Sequence, residues 1–283
     1  MSKTEFVRYN VAMNNRLKQS AIAALAYFDY FNHPLTKEEL FRYLYRPPKI
    51  NFADFLDRLE ELTEDGEIES KFGYYFLKGR EETVEHRRRK TVDNDFKKKL
   101  ARKAVKKLRY TPFLKAVFLC NNTAMEMASL QSDIDLVIIG KKNRMWIVRL
   151  FSVATLWLNR MRISKKHTAN RICLSFYASD DSLDFENLKI TDNDIGLTYW
   201  ISEFTVLYDP NNFRSELLEK NSWINNYLFN VNSLNVFFEG VYIKDCLFNK
   251  IIKRFFELTW QGSYGDLMES QATGFQKAKM NRE

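Results

Sequence analysis

The chain has 283 residues, 45% apolar and 15% aromatic, which excludes a disordered polypeptide and leaves room for two domains with real cores. Its formal charge of +8 points to a polyanionic partner or substrate. That excess is local, because 14 Lys/Arg stand against 5 Asp/Glu between Lys78 and Arg109, a net +9, and the remainder is close to neutral.

The first expected helix runs from Ser20 to Phe31, with Ala21, Ile22, Leu25, Ala26, Phe28 and Tyr30 at helical density, and Asn32-His33-Pro34 ends it. Thr36-Lys37-Glu38-Glu39 is a capping box for a second helix carrying Leu40, Phe41 and Leu44. A third places Phe52, Phe55, Leu56, Leu59 and Leu62 on one stripe and stops at Glu64-Asp65-Gly66. Ile68 to Leu77 reads as a hairpin turning near Gly73. Three helices and a hairpin over residues 18–79 resemble a winged helix-turn-helix. The third helix sets Arg58 against Asp54, Asp57, Glu60, Glu61 and Glu64, however, and such a face repels phosphate. A protein-contact or structural role is therefore expected ahead of sequence-specific DNA reading.

Residues 80–110 form a basic linking helix, free of Gly and Pro from Glu81 to Arg109, with Val84, Val92, Phe96, Leu100, Ala104 and Leu108 as its apolar face. Arg87-Arg88-Arg89-Lys90 and Lys97-Lys98-Lys99 are either solvated charges on a connector or a cationic wall that steers nucleotide or nucleic acid.

Beyond residue 110 the pattern changes to strands. Phe118-Leu119-Cys120-Asn121-Asn122-Thr123-Ala124 leads, after a polar interval, into Ser132-Asp133-Ile134-Asp135 and the apolar run Leu136 to Ile139. Side chains alternate along a strand, so Asp133 and Asp135 share a face, about 6–7 Å apart. Asp93/Asp95 and Asp192/Asp194 repeat the spacing in helical or capping surroundings, where solvated carboxylates are expected. Only the middle pair opens a buried strand, where ionised carboxylates require a cation, hydrogen-bond donors or an outlet to solvent. Two readings stay open on these residues alone: a divalent metal site, or a strand-end pair that reaches water.

A helix over Asn143 to Arg160, strands at Ile172 to Tyr177 and Phe204 to Tyr208, and a terminating Pro210 follow. Trp223, Phe237, Phe238, Tyr242, Phe248, Phe255 and Phe256 suggest helices packing a carboxyl-terminal layer, with fraying from about Ser263. Cys120, Cys173 and Cys246 lack paired spacing, and the first two read as small buried thiols. With only His33, His86 and His167 besides, a zinc cluster or thiol protease is not expected. Met1 to Glu5 lacks the apolar run of a secretory signal, and Met145 to Leu158 is too short to span a bilayer and interrupted by Arg149. A cytoplasmic protein without a membrane partner is expected.

Asn121-Asn122, followed after ten intervening residues by Asp133-Ile134-Asp135-Leu136, resembles the signature of the nucleotidyltransferase superfamily that includes DNA polymerase beta. In that signature a Gly-Ser pair precedes an Asp-apolar-Asp-apolar strand. The wider order is similar to bacterial nucleotidyltransferase-domain proteins with an amino-terminal winged-helix-like segment. Ala26-Tyr27-Phe28-Asp29, Pro34-Leu35-Thr36, Gly73-Tyr74, Gly79-Arg80-Glu81, Arg144-Met145-Trp146 and Ile172-Cys173-Leu174 carry that likeness over residues 20–225.

The resemblance implies an α/β protein with four parts: a winged-helix-like module (18–79), the linking helix (80–110), a nucleotidyltransferase-type mixed sheet with flanking helices (111–225) and a helical extension (226–283). It implies transfer of a nucleoside monophosphate from a nucleoside triphosphate to an unknown hydroxyl acceptor, nucleic acid or protein. Asp133 and Asp135 would be catalytic ligands of Mg2+ or Mn2+, with Asn121, Asn122 and Ser132 lining the phosphates. The expected third carboxylate is missing from Arg171 to Tyr177, with Asp180, Asp181, Asp184 or Glu126 as substitutes. The alternative is a catalytically degenerate fold that binds nucleotide or nucleic acid as a regulator.

Overall fold

Two small sheets organise the chain, one in each of two units, in a computed structural model that describes residues 3–231 and 242–280. The first unit comprises residues 3–92, 191–202 and 222–231; the second comprises 93–190, 203–221 and 242–280. The molecule is thus mixed α/β, and each unit is assembled from three separate stretches of the sequence.

In the first unit, α1 (Lys3–Asp29) begins well before the expected Ser20 and ends where His33 and Pro34 follow. Strand β1 (Leu35–Thr36) runs directly into α2 (Lys37–Tyr43), whose capping box forms as the sequence requires. The Thr36 hydroxyl accepts the Glu39 amide at 3.2 Å, and the Thr36 amide donates to the Glu39 carboxylate at 2.9 Å. Helix α3 (Phe52–Glu64) is capped by Asn51 and buries Phe55, Leu59 and Leu62. Strands β2 (Ile68–Lys71) and β3 (Tyr74–Leu77) form the hairpin, in which Phe72 and Gly73 both take positive φ, as a two-residue turn of that hand demands. The sheet order is β1-β3-β2, all antiparallel.

Helix α4 (Glu82–Leu108) crosses the boundary between the units. The predicted apolar face is buried only in part: Val84, Ala104 and Leu108 are, whereas Val92 is 72% exposed and Phe96 46% exposed. From residue 93 onward the buried stripe is Asn94, Lys97, Lys98, Ala101, Ala104, Val105 and Leu108, polar at one end and apolar at the other. The polar members are buried because each reaches a fixed partner near the carboxylate strand, which compensates the loss of water.

The second sheet contains β4 (Leu114–Leu119), β5 (Ile134–Gly140), β6 (Ile172–Ser179) and β7 (Thr205–Tyr208), in the order β6-β5-β4-β7. Strand β4 is antiparallel to both neighbours, and β5 and β6 are parallel. A parallel pair needs a crossover, supplied by α6 (Met145–Leu158), while the single turn α5 (Asn121–Ala124) opens the β4-to-β5 connection. One sheet face forms the main core: Val117, Leu119, Ile134, Leu136, Ile138 and Ile172 pack with Ala101, Ala104, Val105 and Leu108 of α4 and with Ile147, Val148 and Leu156 of α6.

Helices α7 (Ile195–Ser202) and α8 (Phe213–Lys220) precede α9 (Leu247–Trp260) and α10 (Ser263–Met280). The tail past Ser263 is helical where fraying was expected, and the Glu269 carboxylate accepts the Trp146 amide at 2.9 Å at the start of α6. The expected aromatic layer forms only in part. Phe256 and Trp260 lie against Phe151, but Phe248 and Phe255 are exposed, and Phe237 and Phe238 lie outside the described residues.

Candidate metal centre

Asp133 sits one residue before β5 and Asp135 one residue inside it. Their neighbours Ile134 and Leu136 point into the α4 core, so alternation sends both carboxylates out of the other face. The parallel register sets Cys173 of β6 directly beside Asp135. Asp133, Asp135 and Cys173 each offer a ligand atom, and these atoms lie within 4.8 Å of one another. All three residues are half-buried.

The electrostatics follow from this crowding. Burial, and then the Asp135 charge, raise the Asp133 carboxyl above the ordinary carboxylate value. Burial raises the Cys173 thiol, and both aspartates push it the same way. The Ser175 hydroxyl, on the same face of β6, donates to Asp135 Oδ1. Cys120 lies across from Asp135 on the other side, its amide donating to the Asp135 carbonyl at 3.1 Å. Burial pushes the Cys120 thiol up as well, and the nearby carboxylates add to it, so it stays neutral. Two like charges held together while half-buried, with a thiol beside them, are a donor set that a divalent cation would relieve.

Asn121 and Asn122 begin α5 immediately after Cys120. Asn121 has φ of +54°, the left-handed region that glycine adopts freely and asparagine tolerates better than most residues. Asn122 is exposed at the same end of the sheet as Asp135. Ser132 differs: its hydroxyl donates to the Ser129 carbonyl at 3.0 Å, so it closes a turn.

The polar stripe of α4 holds this corner. Lys97 Nζ donates to the Ser132 carbonyl at 2.5 Å and to Asn170 Oδ1 at 2.9 Å, tying the entrance of β5 to that of β6. Asn94 exchanges 3.3 Å hydrogen bonds with the Ala128 backbone. Asp93 accepts the Leu130 amide at 3.2 Å, so this carboxylate is engaged in the fold.

None of the proposed substitutes for the third acid reaches the cluster. Strand β6 runs unbroken to Ser179, so Asp180, Asp181 and Asp184 follow the opposite end of the strand from Cys173. There Asp180 accepts the Lys142 amide and Asp181 pairs with Lys142. Glu126 is paired with Lys98.

Cys173 is the residue that sequence reasoning passed over, having read it as a buried core thiol. The usable signal was register: if β5 and β6 start together in parallel, the residue beside Asp135 falls at 173. The chain matches no family model, no curated protein and no solved structure.

Proposed function

We propose that the second unit is a nucleotidyltransferase-type domain, in which Asp133, Asp135 and Cys173 hold a divalent cation against the phosphates of a nucleoside triphosphate. The observation that carries this reading is the convergence of two carboxylates on one sheet face beside Asn121, whose positive φ is one that glycine adopts freely, at the place where the signature it resembles has a Gly-Ser pair. When bound, the cation would neutralise phosphate charge and orient the α-phosphorus. Asn121 and Asn122 present amide groups to the triphosphate, and Lys97 fixes the carboxylates by pinning the chain on either side.

In the reaction an acceptor oxygen bonds to the α-phosphorus, the bond to the β-phosphate oxygen breaks, and pyrophosphate departs. Among the described residues no third acid stands at the cluster to take the acceptor proton, so the acceptor is a group that ionises readily. Magnesium is satisfied by two carboxylates and substrate oxygens, whereas a thiol donor favours a softer ion, so Mn2+ or Zn2+ is expected to support the site better than Mg2+. Residues 18–79, three helices and an antiparallel sheet, are read as a winged-helix-like module that contacts protein, because Arg58 of α3 is already paired with Glu61.

Incubation with α-phosphate-labelled nucleoside triphosphates, a divalent metal and cell extract tests the proposal. Label should pass to an acceptor, and Asp133→Asn or Asp135→Asn should abolish the transfer. Cys173 in place of an acid supports one rival, a domain that binds nucleotide without transferring it. Metal-dependent nucleotide binding with no labelled acceptor under any metal selects that rival.

A further inference from the structure

The cations most conspicuous in the sequence are largely engaged inside the fold. Arg87 is buried against His33 and pairs with Glu39 at 2.7 Å, and Arg88 pairs with Glu85. Lys97 and Lys98 are buried on Ser132, Asn170 and Glu126. Cations without carboxylate partners gather elsewhere, around a cavity of about 450 Å³ in the second unit. Lys103 and Lys107 of α4, Arg160 after α6, Arg171 before β6 and the amides of Asn159 and Asn170 line it. No carboxylate lines this cavity, and among the described residues none of the four cations is in a salt bridge.

The wall is built rather than incidental. The Asn170 amide donates to the Ser132 carbonyl at 2.9 Å, the Arg171 carbonyl accepts the Ile134 amide at 2.8 Å, and the Arg171 guanidinium donates to the Arg160 carbonyl. Ile172, not Cys173, contributes to the lining, and alternation places those two side chains on opposite sheet faces. The cavity is therefore a separate site from the aspartate cluster. Lys99, exposed one turn before Lys103, extends the positive track along α4.

We propose that this cavity binds a phosphate-bearing anion of nucleotide size. Its volume lies within the range of about 300–1,000 Å³ common to small-molecule sites. Two guanidinium groups that can grip phosphate oxygens in pairs, with two lysines as point charges, match phosphoryl groups better than a single carboxylate. The phosphates come either from a free polyphosphate compound or from the backbone of single-stranded nucleic acid.

The test measures binding of inorganic tripolyphosphate by calorimetry and of a labelled single-stranded 12-mer RNA by fluorescence anisotropy. It compares the full-length protein with Lys103→Gln/Lys107→Gln. The same charge change at exposed positions of the first unit, Lys37→Gln/Lys49→Gln, is the control. Binding of either ligand should weaken about tenfold in the cavity variant and less than twofold in the control. If RNA is the ligand, the salt slope should fall by about 1.4, roughly 0.7 for each lost phosphate contact. Tripolyphosphate binding alone identifies a small anion, and RNA binding with weak tripolyphosphate binding identifies a backbone. Binding of neither ligand, or equal weakening in cavity variant and control, overturns the proposal. Asp133→Asn should leave cavity binding intact, so failure here is distinct from failure of the transfer reaction.

Discussion

Cys173 sets the chemistry of the cluster apart from an all-carboxylate site. A sulfur donor biases the pocket toward softer ions, so Cys173→Asp is expected to move metal preference toward Mg2+. Calorimetric titration of both proteins with Mg2+ and Mn2+ checks this, and an unchanged preference would remove Cys173 from the donor set. Asp133 carries a second prediction. Its carboxyl is raised by burial and by Asp135, so the folded protein binds this proton more tightly than the unfolded chain does. The metal-free protein therefore gains stability from Asp133 as pH falls through that raised value, and the gain is complete below the unfolded value of 3.8. At neutral pH, Asp133→Asn removes the cost of the buried charge, and calorimetry should show a Tm higher by roughly 1–3 °C in metal-free buffer. A lower Tm would mean that the carboxylate is compensated within the fold.

At the scale of elements, α4 shows both what sequence could deliver and what it could not. Its extent followed from the absence of Gly and Pro, and the strand carrying Asp133 and Asp135 followed from an unbroken apolar run. The buried face of α4 followed only in part, because Asn94, Lys97 and Lys98 are buried through partners 28 to 73 residues away. Periodicity counts apolar residues and is blind to a buried amine that finds a carbonyl. The same blindness hid Cys173, whose place depends on strand register and not on any local pattern.

Lys97→Met leaves the Asn170 side-chain oxygen without its donor and the Ser132 carbonyl with the Asn170 backbone amide alone. That should cost roughly 1–3 kcal/mol in denaturant unfolding and weaken metal binding on the order of tenfold. Loss of stability with unchanged metal affinity would limit Lys97 to packing. In the first unit, the buried His33 imidazole is held well below the ordinary value of 6.5 by burial and by the adjacent Arg87. The unfolded chain takes up this proton and the folded one does not, so stability is lost as pH falls below 6.5, by about 1.4 kcal/mol per pH unit. Unfolding of His33→Phe between pH 7.5 and 5.5 should show a flatter slope than the parent, and equal slopes would refute the assignment.

Across the whole molecule, charge is better described by where it is free than by its net value of +8. Carboxylates and carbonyls engage much of the basic helix, whereas, among the described residues, four cations outside any salt bridge line one cavity and two aspartates share one face of the second sheet. Among the described residues, no helix is long and apolar enough to cross a membrane. The proposed function requires that Asp133 and Asp135 bind a cation that recruits triphosphate. Calorimetric titration of the protein with Mn2+ in the presence of a non-hydrolysable nucleoside triphosphate measures this directly. Mn2+-dependent nucleotide binding by the parent, lost by about tenfold or more in Asp135→Asn, is the predicted result. Equal binding by both proteins, or nucleotide binding indifferent to the metal, would contradict it.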